Sequence, residues 1–206
     1  MSKRIYILDP GHGGINPATK QYVTPGKRSP KWADGSIYYE GVGNREIAEL
    51  VSKKLLALRI SHAFTVHPSD WKDVSLSERV RKTNEISSKQ SAVLISIHSN
   101  AASSSSANGF EVFTSPGITK SDRKADIWYK EMRSEFPELK GRPDLRDGFH
   151  DKEEIFTMIT KTKCPAFLIE TMFHTNEKEC RILMSAKGKE RIANVIVRSI
   201  QKIEQL

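Results

Sequence analysis

Cysteine is scarce in this 206-residue chain, which has two, Cys164 and Cys180, and no CxxC pair. That argues against a disulfide-stapled scaffold or a cysteine-ligated zinc finger, and makes a reduced thiol with no assigned role the expectation for each. No apolar run reaches membrane-spanning length, and residues 5–8, after the basic start Met1-Ser2-Lys3-Arg4, are too short for a signal peptide. The chain is therefore expected to be cytoplasmic until something else releases it, without stable membrane association. Aromatic residues are few, at 8%, and are not interleaved with basic ones; no nucleic-acid motif or internal repeat is present. The formal charge of +8 accordingly points to anionic polymers other than nucleic acid.

What is there suits one domain, 1–206, with 37% hydrophobic residues to build a core. The informative stretch is Ile5-Tyr6-Ile7-Leu8-Asp9-Pro10-Gly11-His12-Gly13-Gly14, in which an apolar strand runs into a sharp Pro/Gly turn. The turn presents His12 at the strand's carboxyl end, beside space for a ligand. A lone loop histidine is more often without a function. Two further runs repeat the pattern, however: Ala92–Ile97 ends in His98-Ser99-Asn100, and Ala166–Ile169 ends in Glu170-Thr171. Continuous apolar strands of this kind belong to parallel sheets buried on both faces, and such sheets bind ligands outside the strands' carboxyl ends. Two histidines and a carboxylate gathered there point to a metal.

Apolar spacings predict helices over 44–60, 75–87, 122–136 and 187–203, with strands at 63–66 and 109–114 between them. In the second helix Leu76, Val80 and Ile86 are expected to face inward and Arg79, Arg81, Lys82 and Glu85 to be solvated; Ser75 or Ser77 is its cap. Trp128 and Met132, four apart, are expected in the core. Residues 15–39 read as a long loop over the His12 turn, either a lid or rim or a floppy insertion. A basic loop follows at 140–150, and His62, His67 and His150 are expected at the surface. Strands alternating with helices give an α/β class, a three-layer α/β/α domain with a mostly parallel, mixed sheet.

A catalytic zinc ion takes three N/O ligands and leaves a fourth position to water. His12, His98 and Glu40 would supply such a set, although a carboxylate before a helix can equally be a favourable charge at its entrance. Glu170 is the candidate general base, against the alternative of a carboxylate neutralised by a Lys or Arg. Asp9 reads as a turn former or a support for the ligands. His174, four residues past Glu170, could donate a proton or touch substrate.

These residues also carry a resemblance. Leu8-Asp9-Pro10-Gly11-His12-Gly13-Gly14, Glu40 with Asn44 and Ile47-Ala48, Ser96-Ile97-His98-Ser99-Asn100-Ala101, and Pro165–Phe173 followed by Asn176 resemble, in order, the signature of zinc-dependent N-acetylmuramoyl-L-alanine amidases. The resemblance implies cleavage of the amide between the lactyl group of muramic acid and L-alanine in peptidoglycan. It implies His12, Glu40 and His98 as ligands of one Zn2+ ion and Glu170 as the catalytic glutamate; Asn100 and His174 are further candidates for substrate contact. Met172 stands where a glycine is usual, and His174 where a small or aliphatic residue is usual. The loop with Thr24–Pro30 is more similar to phage endolysin amidases, which implies a monomeric catalytic domain released at lysis. The alternatives are a zinc peptidase cutting within the stem peptide and a catalytically silent wall-binding module.

Overall fold

The computed structural model describes residues 3–206; of the expected 1–206 unit, Met1 and Ser2 lie outside the described residues. Six strands form one sheet: β1 (Ile5–Pro10), β2 (His62–Phe64), β3 (Ala92–Asn100), β4 (Glu111–Thr114), β5 (Lys152–Glu153) and β6 (Ala166–Phe173). Their order is β2-β1-β3-β6-β4-β5, and all neighbours are parallel except β4 against β6. The helices are α1 (Glu40–Ala57), α2 (Leu76–Ser87), α3 (Asp122–Glu135), α4 (Thr157–Thr160), α5 (Glu177–Met184) and α6 (Ala186–Ile203). This is the expected single α/β domain with a mixed, mostly parallel sheet between helical layers.

Side chains alternate across the strands and so sort the core into two. Tyr6, Leu8, Val93, Ile95, Ile97, Val112, Phe167 and Ile169 pack with α1, α3, α5 and α6 around Trp128, Met132, Ile192 and Ile196. Ile7, Leu94, Phe113 and Leu168 face the other way, toward Met158 and Ile159 of α4 and Val80 and Ile86 of α2. The second layer is thin. Continuing the alternation places Asp9, Ser96, His98, Glu170 and Glu111 on this same face, toward one end of the sheet.

Several expectations need correction. The first helix starts at Glu40 instead of Asn44, so Glu40 lies in its first turn, where a carboxylate suits the helix dipole. Glu170 is inside β6 and not past its end, because the strand runs on to Phe173 beside β3. Helix α5, capped by Asn176, was not foreseen; it is short, and its polar residues mask the periodicity. Ser75 caps α2 as expected, but Leu76 is 52% exposed while Arg79, expected in solvent, is 2% exposed. His62 and His150 are half-buried, against Ser52 and Asp126 respectively; His67 is exposed. Among the described residues no helix is long and apolar enough to cross a membrane.

The burial makes a direct comparison possible. Ile196→Ala, at a fully buried position of α6, should cost about 2–5 kcal/mol in urea unfolding. Leu56→Ala, at a position 66% exposed, should stay within about 0.5 kcal/mol. Equal effects would contradict the layer assignment.

Candidate metal centre

The turn after β1 holds His12 at φ 64°, a left-handed conformation that non-glycine residues adopt at a cost. Its backbone carbonyl is gripped from two sides, by Arg45 Nη1 at 2.7 Å and Arg79 Nη2 at 2.9 Å. Arg79 also donates to the Pro10 carbonyl (2.7 Å) and to Asp9 Oδ1 (2.7 Å). Asp9 in turn accepts from Ser96 Oγ at 2.6 Å and from the Thr65 hydroxyl. Burial opposes the charge on Asp9, yet Arg79, Ser96 and Thr65 hold its carboxyl below the usual carboxylate range. Asp9 is therefore a support for the turn.

His98 comes from β3 and its ring lies over Gly11, where an added Cβ would collide with the imidazole. Gly41, next to Glu40, meets the Gly13 carbonyl so closely that a Cβ there would overlap it. These two contacts let the first turn of α1 and the His98 strand close on the His12 turn. Glu40 Oε1 then lies 3.3 Å from His12 Nε2 and 3.0 Å from His98 Nδ1, with the two rings edge to face, centroids 4.9 Å apart. Burial opposes ionisation of Glu40, but the two imidazoles hold it well below the usual range. Burial likewise pushes His98 down, and Glu40 outweighs it, so the His98 pKa is raised.

This donor set fits a zinc ion. Tetrahedral bonds of about 2.0–2.1 Å place ligand atoms about 3.3 Å apart, and one donor atom from each of His12, Glu40 and His98 lies within 4.8 Å of the others. It is the one such group of three found among the described residues. Beside it is a cleft of about 400 Å³ lined by His12, His98, Val74, Leu76 and Met158. A larger groove of about 570 Å³ between α1 and α6 is lined by carboxylate and lysine side chains without a histidine.

Glu170 pairs across the sheet with His98 on one side and Glu111 on the other. Its Oε2 is buried with no hydrogen-bond partner. Burial pushes this carboxyl up to about 8; His98 and Lys27 oppose the shift, and the charges of Glu40 and Glu111 add to it. No lysine or arginine neutralises it by direct contact among the described ion pairs. Asn100 is half-exposed at the end of β3, its side chain accepting from Ala101 N. His174 is 1% exposed, with Nδ1 3.0 Å from Ser99 Oγ, whose backbone N–H donates to Glu40.

The 15–39 loop is tied down around the site. Ile15 and Tyr22 bridge to close a hairpin with exposed residues 17–20 at its tip, and Thr24 Oγ1 accepts from Gly13 N (2.8 Å) and donates to Asp73 (2.6 Å). The Lys27 carbonyl accepts from Glu40 N, and Trp32 Nε1 reaches Cys180 Sγ at 3.4 Å. Sequence reasoning missed Arg45 and Arg79, since a lone arginine on an amphipathic helix carries no signal for a carbonyl partner elsewhere. Both cysteines are free thiols, Cys180 buried and Cys164 half-buried.

Arg79→Met should strip Asp9 of its buried counter-charge, costing about 3–5 kcal/mol in urea unfolding. Because the Asp9 pKa is lower folded than unfolded, its contribution is complete above the unfolded value of about 3.9 and lost as pH falls through the folded one. The acid limb of the stability curve should therefore flatten in Asp9→Asn; an unchanged limb would refute the assignment.

Comparison with known proteins identifies the family. The family model described as N-acetylmuramoyl-L-alanine amidase matches residues 7–202. N-acetylmuramoyl-L-alanine amidase LytC of Bacillus subtilis (strain 168) is 32% identical over 193 residues, covering 92% of this chain and 33% of LytC, so the chain spans about a third of that relative. N-acetylmuramoyl-L-alanine amidase AmiA of Escherichia coli (strain K12) is 23% identical, covering 96% of this chain and 75% of its own. Among solved structures, N-acetylmuramoyl-L-alanine amidase AmiC2 of Nostoc punctiforme superposes with a TM-score of 0.77 at 23% identity, over 99% of this chain and 98% of that one, which shows a shared fold. With the family model covering nearly its whole length, the chain belongs to the N-acetylmuramoyl-L-alanine amidase family of hydrolases.

Proposed function

We propose that this chain hydrolyses the amide between N-acetylmuramic acid and L-alanine in peptidoglycan, with one zinc ion held by His12, Glu40 and His98 and with Glu170 as the catalytic carboxylate. The observation that carries the reading is the buried, unpartnered Glu170 Oε2 on the strand next to the three-donor set. Family membership supports the choice of bond. A zinc ion bound there supplies a Lewis acid that acidifies water and polarises a carbonyl. Glu170 takes a proton from the attacking water and hands one to the leaving amine. Burial raises its pKa and makes it a stronger base, while the positive charge of His98 favours its ionised form. Asn100, half-exposed at the cleft end of β3, contacts substrate. His174 is too buried for that and acts through Ser99, which steadies Glu40.

A second part of the proposal concerns deployment: the chain acts as a phage lysis enzyme, cytoplasmic until a membrane lesion admits it to the wall. Its support is the Thr24–Pro30 loop alone, and the named relatives are bacterial. Expression in a Gram-positive host should clear the culture only when a membrane lesion is also made. Export of the intact chain without one would overturn this part while leaving the chemistry untouched.

Purified protein should release L-alanine amino termini from cell walls, stop when a chelator is added, and recover with zinc. Glu170→Gln should lower turnover by about 100-fold or more while retaining zinc, whereas His12→Ala and His98→Ala should lose it. New amino termini on residues other than the first L-alanine would mark a stem peptidase. Retention on walls with no amine released would mark a binding module.

A further inference from the structure

The basic loop 140–150 has no part in the chemistry above, yet the fold brings two cations from its neighbourhood to Glu111, on the strand next to Glu170. Glu111 of β4 sits directly across from Glu170 and is 5% exposed. It holds the Arg142 guanidinium on Oε1 and Lys152 Nζ on Oε2, the latter at 2.8 Å. Arg142 is fixed by its backbone, donating N–H to the Phe110 carbonyl at 3.1 Å, and its guanidinium lies 5.3 Å from the centroid of the Phe173 ring. Both cations keep about a third of their side-chain surface in solvent, 32% for Arg142 and 30% for Lys152. Two positive charges share one carboxylate, leaving one unmatched within the trio. Of the neighbouring acids, Asp144 is paired with Arg146 and Glu179 accepts from the backbone N–H groups of Gly109 and Phe173, while Glu170, on the next strand, makes no ion pair with either cation.

Resting on the amidase reading, the geometry points to Arg142 and Lys152 as the receptor for a substrate carboxylate on the leaving-peptide side, that of the acidic second residue of the stem. The direction follows from Glu170. It protonates the leaving amine, so the peptide departs across β6, and the next strand in that direction is β4 with its two cations. The distance follows from the sheet. Strands are about 4.8 Å apart, which puts the trio about 5 Å beyond Glu170, and extended peptide advances about 3.3–3.6 Å per residue. A carboxylate one residue past L-alanine falls within reach of two long cationic side chains.

The test uses muramoyl peptides whose second residue carries a free or an amidated carboxyl, with full-length, zinc-loaded protein. The wild type should prefer the free carboxylate by about tenfold or more in kcat/KM. In Arg142→Gln/Lys152→Gln the free-carboxylate substrate should fall to the level of the amidated one. No preference in the wild type, or an equal fractional loss on both substrates, would overturn the inference. If neither substrate is cleaved, the amidase reading fails on its own. Calorimetric titration of L-alanyl-D-isoglutamate against its amide then still decides, because a binding ratio that the substitutions leave unchanged overturns the carboxylate site. Zinc content and thermal melting of each variant separate these outcomes from misfolding.

Discussion

The buried pair of Asp9 and Arg79 is the interaction on which the site depends. A guanidinium 2% exposed, against a carboxylate 1% exposed, is costly to desolvate and is sustained only when every donor and acceptor finds a partner. Here nearly all do: Asp9 takes two hydroxyls, and Arg79 places three further donors on the carbonyls of Val74, Pro10 and His12. The pair thus converts the cost of a left-handed residue into a fixed direction for one imidazole. Without those contacts the His12 carbonyl on its glycine-rich turn would be held by Arg45 alone.

The sheet does the rest through alternation. The strand face that carries Ile7, Leu94, Leu168 and Phe113 low in the sheet carries Asp9, Ser96, His98, Glu170 and Glu111 above them. Among the described residues the short α4 and α2 cover that face, and Met158 and Leu76 reach the cleft beside His12 and His98. His98 and Glu170 therefore line up on one ladder by strand register alone, while His12 and Glu40 are brought to it by the turn after β1 and the first turn of α1. The antiparallel β4 brings a second carboxylate beside Glu170 that a wholly parallel sheet would have brought from another part of the chain.

The sequence was most legible where chemistry and local structure share the same few residues. Asp9-Pro10-Gly11-His12, His98-Ser99-Asn100 and Ile169-Glu170-Thr171 each mark a strand and its reactive group together, so fold class and ligand candidates came from one pattern. Glu40 was harder, since its place in the first turn of α1 is set by Gly41 fitting under Gly13, a contact far from adjacent in the chain. Arg79 was misplaced because helical periodicity scores arginine as solvent-facing, while its true partners lie on β1. Glu111, Arg142 and Lys152 were illegible for the same reason: three residues from separate segments, joined only by the β4–β5 pairing and the bridge between Phe110 and Gly141.

The hairpin between Ile15 and Tyr22 has a consequence of another kind. Its stem is closed by the bridge and anchored behind by Thr24, whereas its tip at 17–20 is exposed and points away from those ties. Length and composition can therefore drift at the tip without disturbing the ligand-bearing turn, in the way surface loops with tethered ends tolerate insertion. Such a spot is a natural seam for grafting, where an added module could be joined mid-chain while the reaction centre keeps its shape.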